Sequence, residues 1–292
     1  MGDSLLKIRR QLDSINSLGS VVRTMKALAA SNISQYEDAV QSLQHYTSSV
    51  ELGLAAYLRR GVGAAQLFEH NGLRADQPVL MLVIGSDQGM VGAFNQKIGS
   101  KVIAAIAEES RPLHLLSMGE RMRDELYTHG LKVQRHFVTP TTVEAITPAC
   151  IEILVEYSKL PQSDPALLVG YNQLEAGANY SPKIEQILPL EQAWQQRLNQ
   201  RTWPTSALPE IWSSDEECLQ ALVREYMFIT LFRACAESLA SENSARLAAM
   251  QRAEKNIDEQ LESLRGVYNR KRQDNIDAEL FDVTYSLSEE QF

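Results

Sequence analysis

Directly after the apolar run Val79 to Ile84, the chain reads Gly85-Ser86-Asp87-Gln88-Gly89-Met90-Val91-Gly92-Ala93-Phe94-Asn95. A strand leading into a glycine-dotted turn is how many nucleotide-binding domains begin, because backbone N–H groups freed from side chains can cradle phosphate. The spacing here is G-x-x-x-G-x-x-G, which is neither the dinucleotide fingerprint nor the phosphate loop with its lysine. The loop therefore raises nucleotide chemistry without establishing it, and structural glycine stands beside phosphate cradle as its explanation.

The other chemistry-bearing residues form no catalytic pattern. His45, His70, His114, His129 and His136 lack metal-ligand spacing, and Cys150, Cys218 and Cys235 lie far apart. No G-x-S-x-G elbow or kinase signature is present, and most carboxylates fall on expected helix surfaces. The expectation is no catalytic residue, no metal and no cofactor. Arg270-Lys271-Arg272 is a basic knot in an acidic helix. It can compensate the helix dipole, or Arg272 and Gln273 can grip an acidic partner through the directional bonds of a guanidinium.

The chain has 292 residues, 44% of them hydrophobic, and a formal charge of −9. That balance leaves no concentrated basic face for nucleic acid. Three scattered cysteines and a start unlike a signal peptide point to a reducing, cytoplasmic setting.

All ten prolines lie between Pro78 and Pro209. Proline costs a helix interior about 3 kcal/mol, so the two flanks can each form long unbroken helices. In the first flank, steps of three and four residues give Leu5, Ile8, Leu12, Ile15, Gly19, Val22, Lys26, Ala29, Ile33, Tyr36, Val40, Leu43, Thr47, Val50, Leu54 and Tyr57. Apart from Gly19, Lys26 and Thr47 this seam is apolar, as in a left-handed coiled coil. The second flank opens with the capping box Ser214-Asp215-Glu216-Glu217. Its seams run Leu222, Ile229, Ala236, Asn243, Met250, Ile257, Leu264 and Leu219, Tyr226, Arg233, Ala240, Leu247, Glu254, Leu261, Tyr268. Polar residues interrupt them between Arg233 and Glu254, which lowers stability and helps fix register.

Each long stripe must be buried, and the other stripe is its nearest partner. Between them, strand-like runs (Val79–Ile84, Leu113–Ser117, Lys132–Phe137, Ala166–Tyr171, Lys183–Leu188) alternate with helical ones (Gln96–Glu109, Glu120–His129, Thr142–Lys159). The pattern predicts an α/β chain in which a long antiparallel coiled coil of the terminal helices joins a central Rossmann-like domain with an open parallel sheet. The expected divisions are 1–60 for the first helix, 78–190 for the central domain and 209–287 for the last helix.

Three separated stretches resemble the γ subunit family of F-type ATP synthases. Arg23-Thr24-Met25-Lys26-Ala27-Leu28-Ala29-Ala30-Ser31 is similar to the family's K-A-M-x-M-V-A-A-S, and Ser86 to Asn95 is similar to S-D-R-G-L-C-G-G-L-N. The third is Leu239 to Met250, followed by Val267 to Gln273 and Ile276 to Asp282. The closing family motif I-T-x-E-x-x-[DE]-x-x-x-G-A departs here: Asp277 replaces threonine, and Ser286-Leu287 replaces Gly-Ala. Those departures suggest a diverged or second-copy form.

The resemblance implies a rotor shaft inside a ring of F1 α and β subunits, with the central domain against the ε subunit and the c ring. ATP chemistry would belong to β, and the chain itself would be non-catalytic. It implies peripheral association, through the Fo part, with the cytoplasmic face of a bacterial plasma membrane. By motif, Met25 and Lys26 would lie near the lever segment of β, and Arg272 and Gln273 would form a polar catch on a β loop. Gly89 and Gly92 would allow tight backbone approach at the base of the shaft. A stand-alone nucleotide-binding enzyme and a passive coiled-coil tether are the alternatives.

Overall fold

The computed structural model describes residues 2–59, 77–160, 165–175, 179–190, 192–201, 203, 205, 209–211 and 214–289, with side chains omitted for 2–4, 192–193, 195, 199 and 281–289. The altered closing motif beyond Leu280 therefore lies outside the described side chains.

Two helices dominate: α1, Gly2–Arg59, and α6, Asp215–Glu289. The start of α6 follows from its sequence. Glu217 N donates to Ser214 Oγ and Ser214 N donates to Glu217 Oε2, both at 3.3 Å, which closes the capping box. Every seam position read from the first flank is buried or half-buried, and so is every one in the second. The chain divides into two compact units, Met1–Ala29 with Arg246–Phe292, and Ala30–Ala245.

In the first unit, Val22 packs with Met250, Ile257 and Leu261, flanked by Leu12, Ile15, Met25, Ala249 and Ala253. Gly19 faces Ile257, whose Cγ2 is 3.3 Å from where a Cβ would stand, and Lys26 meets Glu254. Residue numbers rise along one helix as they fall along the other, so the pair is antiparallel. The glycine in the seam is explained by the bulk of the isoleucine opposite.

The second unit is built around a five-stranded sheet. Its strands are β1, Val79–Ile84; β2, Leu113–Met118; β3, Arg135–Phe137; β4, Ala166–Leu174; and β5, Tyr180–Leu188, in the order β3-β2-β1-β4-β5. The first four are mutually parallel and β5 is antiparallel to β4. The sequence pattern predicts parallel strands throughout, but β4 ends at Leu174 and β5 begins at Tyr180. A parallel crossover needs about a dozen residues or more, so only a hairpin fits, and Glu175 N donates to Asn179 O across it at 2.7 Å.

Helices α2, Phe94–Ala107, and α3, Glu120–Thr128, cover one face of the sheet through Ile98, Val102, Met122 and Leu126. The other face, led by Leu80, Leu82 and Ile84, meets helix α4, Ile146–Ser158, and the Leu231–Ala240 stretch of α6, with Tyr36 of α1. Covered on both sides, β1 is apolar at every position, as a central parallel strand should be. A smaller helix, α5, Gln192–Gln200, adds Trp194 and Leu198 to a cluster with Val50, Leu54, Leu219 and Ile229. In this unit too the long helices run antiparallel, marked by Asn32 with Asn243 and Tyr46 with Glu225.

Candidate functional site

The glycine loop is committed to internal bonds. Ser86 N donates to Asn95 Oδ1 at 3.0 Å, Asn95 Nδ2 donates to Ser86 Oγ at 2.8 Å, and Ser86 Oγ donates to Gln88 O at 2.9 Å. Asp87 accepts from Glu120 N at 2.8 Å through Oδ1 and from Thr139 N at 2.7 Å through Oδ2. One carboxylate thus closes the N-terminus of α3, where the helix dipole favours an anion, and pins the strand end beyond β3. Val91 and Phe94 then pack on Ala245 of α6, with Tyr180 alongside. The loop is a buttress between the sheet and the C-terminal helix.

One of its glycines works differently from the sequence expectation. A Cβ on Gly89 would meet nothing within 4 Å, so Gly89 permits no close approach. Gly92 adopts the left-handed backbone, φ 59°, and so does its neighbour Met90 at φ 63°. The tight contacts are at Gly85, where a Cβ would lie 2.5 Å from both Asn95 Oδ1 and Met122 Cβ, and at Gly119, φ 98°, pressed against the Gly85 and Ser86 backbone. Sequence spacing did not mark Gly119, because its constraint comes from a neighbouring strand end.

Other reactive groups are shut away. Cys150 and Cys235 are fully buried in one apolar cluster. Hydrogen bonding with Cys235 and burial push the Cys150 thiol far above its ordinary range, leaving it no thiolate character. Ser117 Oγ lies 3.2 Å from His136 Nδ1, but Ser117 is fully buried and pairs with His136 in strand register, so no substrate can reach it. Among the described residues no group of three or more histidines, cysteines or acids could hold a metal ion. None of their helices is long and apolar enough to cross a membrane.

The four residues that the sequence singles out fall into two places on the first unit. Met25 is half-buried against the Val22 cluster, and Lys26 Nζ lies 2.5 Å from Glu254 Oε2. Lys26 and Glu254, each a polar break in its own seam, answer one another. Arg272 and Gln273 are exposed on α6. They stand eighteen residues beyond Glu254, about 27 Å at 1.5 Å per residue, so the structure does not bring the two pairs together. Around Met25 the α1 surface carries a second apolar stripe, Leu18, Val21 and Leu28, which are 53%, 55% and 59% exposed.

A further cluster escaped the sequence reading. Arg233 Nη2 donates to Glu185 Oε1, while Tyr171 Oη donates to Glu185 Oε2 at 2.9 Å and Lys183 Nζ lies 3.0 Å from that same oxygen. Burial pushes the Glu185 carboxyl up, but the charges of Arg233 and Lys183 and the bonds from Lys183 and Tyr171 outweigh it and hold Glu185 below the usual range. Burial dominates at Glu237 and raises its carboxyl despite Arg233 and Lys183. Only the seam break at Arg233 hinted at this network.

Comparison with known proteins agrees with this geometry. The ATP synthase family model matches residues 4–288. The ATP synthase gamma chain of Anaeromyxobacter is 27% identical, with 96% of this chain and 97% of the relative covered. That of Rhodospirillum rubrum is also 27% identical over the same shares. Among solved structures, a chain of the Euglena gracilis mitochondrial ATP synthase rotor in rotational state 1 matches with a TM-score of 0.62 and 15% identity, covering 94% of this chain and 100% of that one. A chain from that enzyme's OSCP/F1/c-ring assembly in rotational state 3 matches with a TM-score of 0.65 and 15% identity, covering 99% and 95%.

Paired long terminal helices with a five-stranded α/β domain between them in the chain share their fold with these chains of the Euglena gracilis mitochondrial ATP synthase. The chain belongs to the ATP synthase family, among its gamma chains.

Proposed function

We propose that the chain is the turning shaft of an F1Fo ATP synthase or ATPase, coupling ion movement through a c ring to ATP synthesis or hydrolysis at β subunits. Residues 1–60 and 209–287 form the shaft inside the α and β ring, and residues 78–190 form the foot, against the ε subunit and the c ring. The assembly sits at the cytoplasmic face of a bacterial membrane, to which this chain is attached through its partners.

The observation that carries this reading is the second apolar stripe of α1. A helix in a two-stranded coiled coil buries one seam, yet Leu18, Val21 and Leu28 lie outside that seam and stay exposed beside half-buried Met25. Contiguous exposed apolar side chains mark a surface meant for another protein, which supports contact of Met25 and Lys26 with β. Exposed Arg272 and Gln273 supply a polar catch of the kind a guanidinium fork suits. Nucleotide chemistry in this chain finds no support in the loop, whose Ser86, Asp87 and Asn95 side chains are engaged in bonds within the domain.

The test is reconstitution with F1 α and β subunits. The chain is expected to co-purify as a minority subunit and to be needed for coupled ATP turnover. Recovery of a stable α and β complex that excludes it, or of a homodimer of this chain alone, would count against the shaft and for a tether.

A further inference from the structure

A shaft is useful only if the foot cannot slip on it, and apolar packing is non-directional. The contact between the sheet and α6 contains two joints of another kind. At the first, Arg233 of α6 binds Glu185 of β5, and Glu185 is held in turn by Tyr171 of β4 and by Lys183. At the second, Ser241 Oγ donates to the carbonyl oxygen of Asn172 at 2.9 Å, and Asn172 Nδ2 donates to Phe94 O at 3.0 Å. Ser241 and Asn172 are both completely buried. Tyr171 and Asn172 are consecutive on β4, and Lys183 is the register partner of Tyr171.

Arg233 and Ser241 are eight residues apart, which is about 12 Å along a helix. Two attachment points at that separation resist turning about either one, and both come from a single hairpin. A partly buried ion pair adds little net stability, because desolvation offsets its attraction. Its attested use is to fix register, and directional, charge-assisted bonds are suited to it.

We propose that the β4–β5 hairpin clamps α6 through Glu185–Arg233 and Asn172–Ser241, and that these four positioning residues pass torque between the foot and the C-terminal helix. This rests on the shaft reading above. It assigns a mechanical role to residues that touch neither nucleotide nor the neighbouring seam at Lys26.

The test uses the assembled F1 complex carrying a rotation probe on the central domain, with rotation of the wild-type complex established beforehand. Arg233→Met, Glu185→Gln, their double variant, Ser241→Ala and Arg233→Lys are compared while the catalytic sites are arrested. The account expects wider angular fluctuation of the probe in Arg233→Met, Glu185→Gln and Ser241→Ala, with no further widening in the double variant. Arg233→Lys should recover part of the loss, and unloaded ATP turnover should be unchanged. Equal widths in every variant of a rotating complex would overturn the clamp, as would a double variant whose effect is the sum of the singles. Should Arg233→Met fail to assemble, Glu185→Gln, which keeps shape and the Tyr171 bond, carries the same decision.

Discussion

Lys26 Nζ and Glu254 Oε2 meet at 2.5 Å, about two turns along α1 and one along α6 from the point where Gly19 makes room for Ile257. The ion pair and the glycine set the register of α1 against α6 jointly, one by charge and one by volume. Lys26 is 36% exposed and Glu254 21%, so solvent screens the pair and its contribution to stability is below about 1 kcal/mol. Glu254→Gln should therefore lower unfolding stability by no more than that in urea titration, while leaving the far-ultraviolet helix signal intact.

Val22 is the sharper probe of the same helix pair. It is 6% exposed among Met250, Ile257 and Leu261, and burying an unpartnered carboxylate costs several kcal/mol. Val22→Asp should destabilise the chain by about 3 kcal/mol or more and melt the ends of the long helices first. Hydrogen exchange across residues 5–29 and 246–280 would show it. Unchanged protection there would mean that the seam is not the contact described.

The glycines of the loop separate open space from close approach. Gly85→Ala forces a methyl to within 2.5 Å of Asn95 Oδ1 and Met122 Cβ, and overpacking of that kind costs about 1–3 kcal/mol. Gly89→Ala meets nothing and should be neutral or slightly stabilising, by up to about 1 kcal/mol. Thermal unfolding of the two variants side by side checks the contrast.

Glu185 and Glu237 should pull in opposite directions with pH. Glu185 is held below its unfolded value, so its contribution is present above the ordinary carboxylate value of about 4.3 and lost as pH falls through the lower folded value. Glu237 is raised in the folded chain. Its contribution is full below the unfolded value and lost as pH rises through the raised folded one. Glu237→Gln should accordingly stabilise the chain at neutral pH and remove the gain that wild type shows on mild acidification. Denaturant unfolding at several pH values reads both effects, and a Gln variant no more stable at pH 7 would contradict the assignment.

Local signals in the sequence were sufficient for the long helices. Proline-free flanks, a seam at steps of three and four, and the Ser214–Glu217 box define α1 and α6 because helix burial and capping depend on residues a few positions apart. The first four strands were legible for the same reason. The direction of β5 is not legible locally, since its alternation looks alike in either orientation and only the short link from Leu174 to Tyr180 decides it. Gly85 and Gly119 tell a similar story: their crowding comes from Met122, Asn95 and a neighbouring strand end. The Glu185–Arg233 joint spans 48 residues, and nothing in local spacing could announce it beyond a charged residue in an apolar seam. Lys26 was visible as such a break, and its answer at Glu254 became visible once the antiparallel register was known.

Whether this chain turns is the question on which the account stands. The direct measurement is a single-molecule recording of a probe fixed to the central domain of this chain, in a complex with F1 α and β subunits anchored to glass and supplied with ATP. The account predicts sustained rotation in one direction that stops when ATP is withdrawn. A probe that stays still while the same complexes hydrolyse ATP at full rate would contradict it.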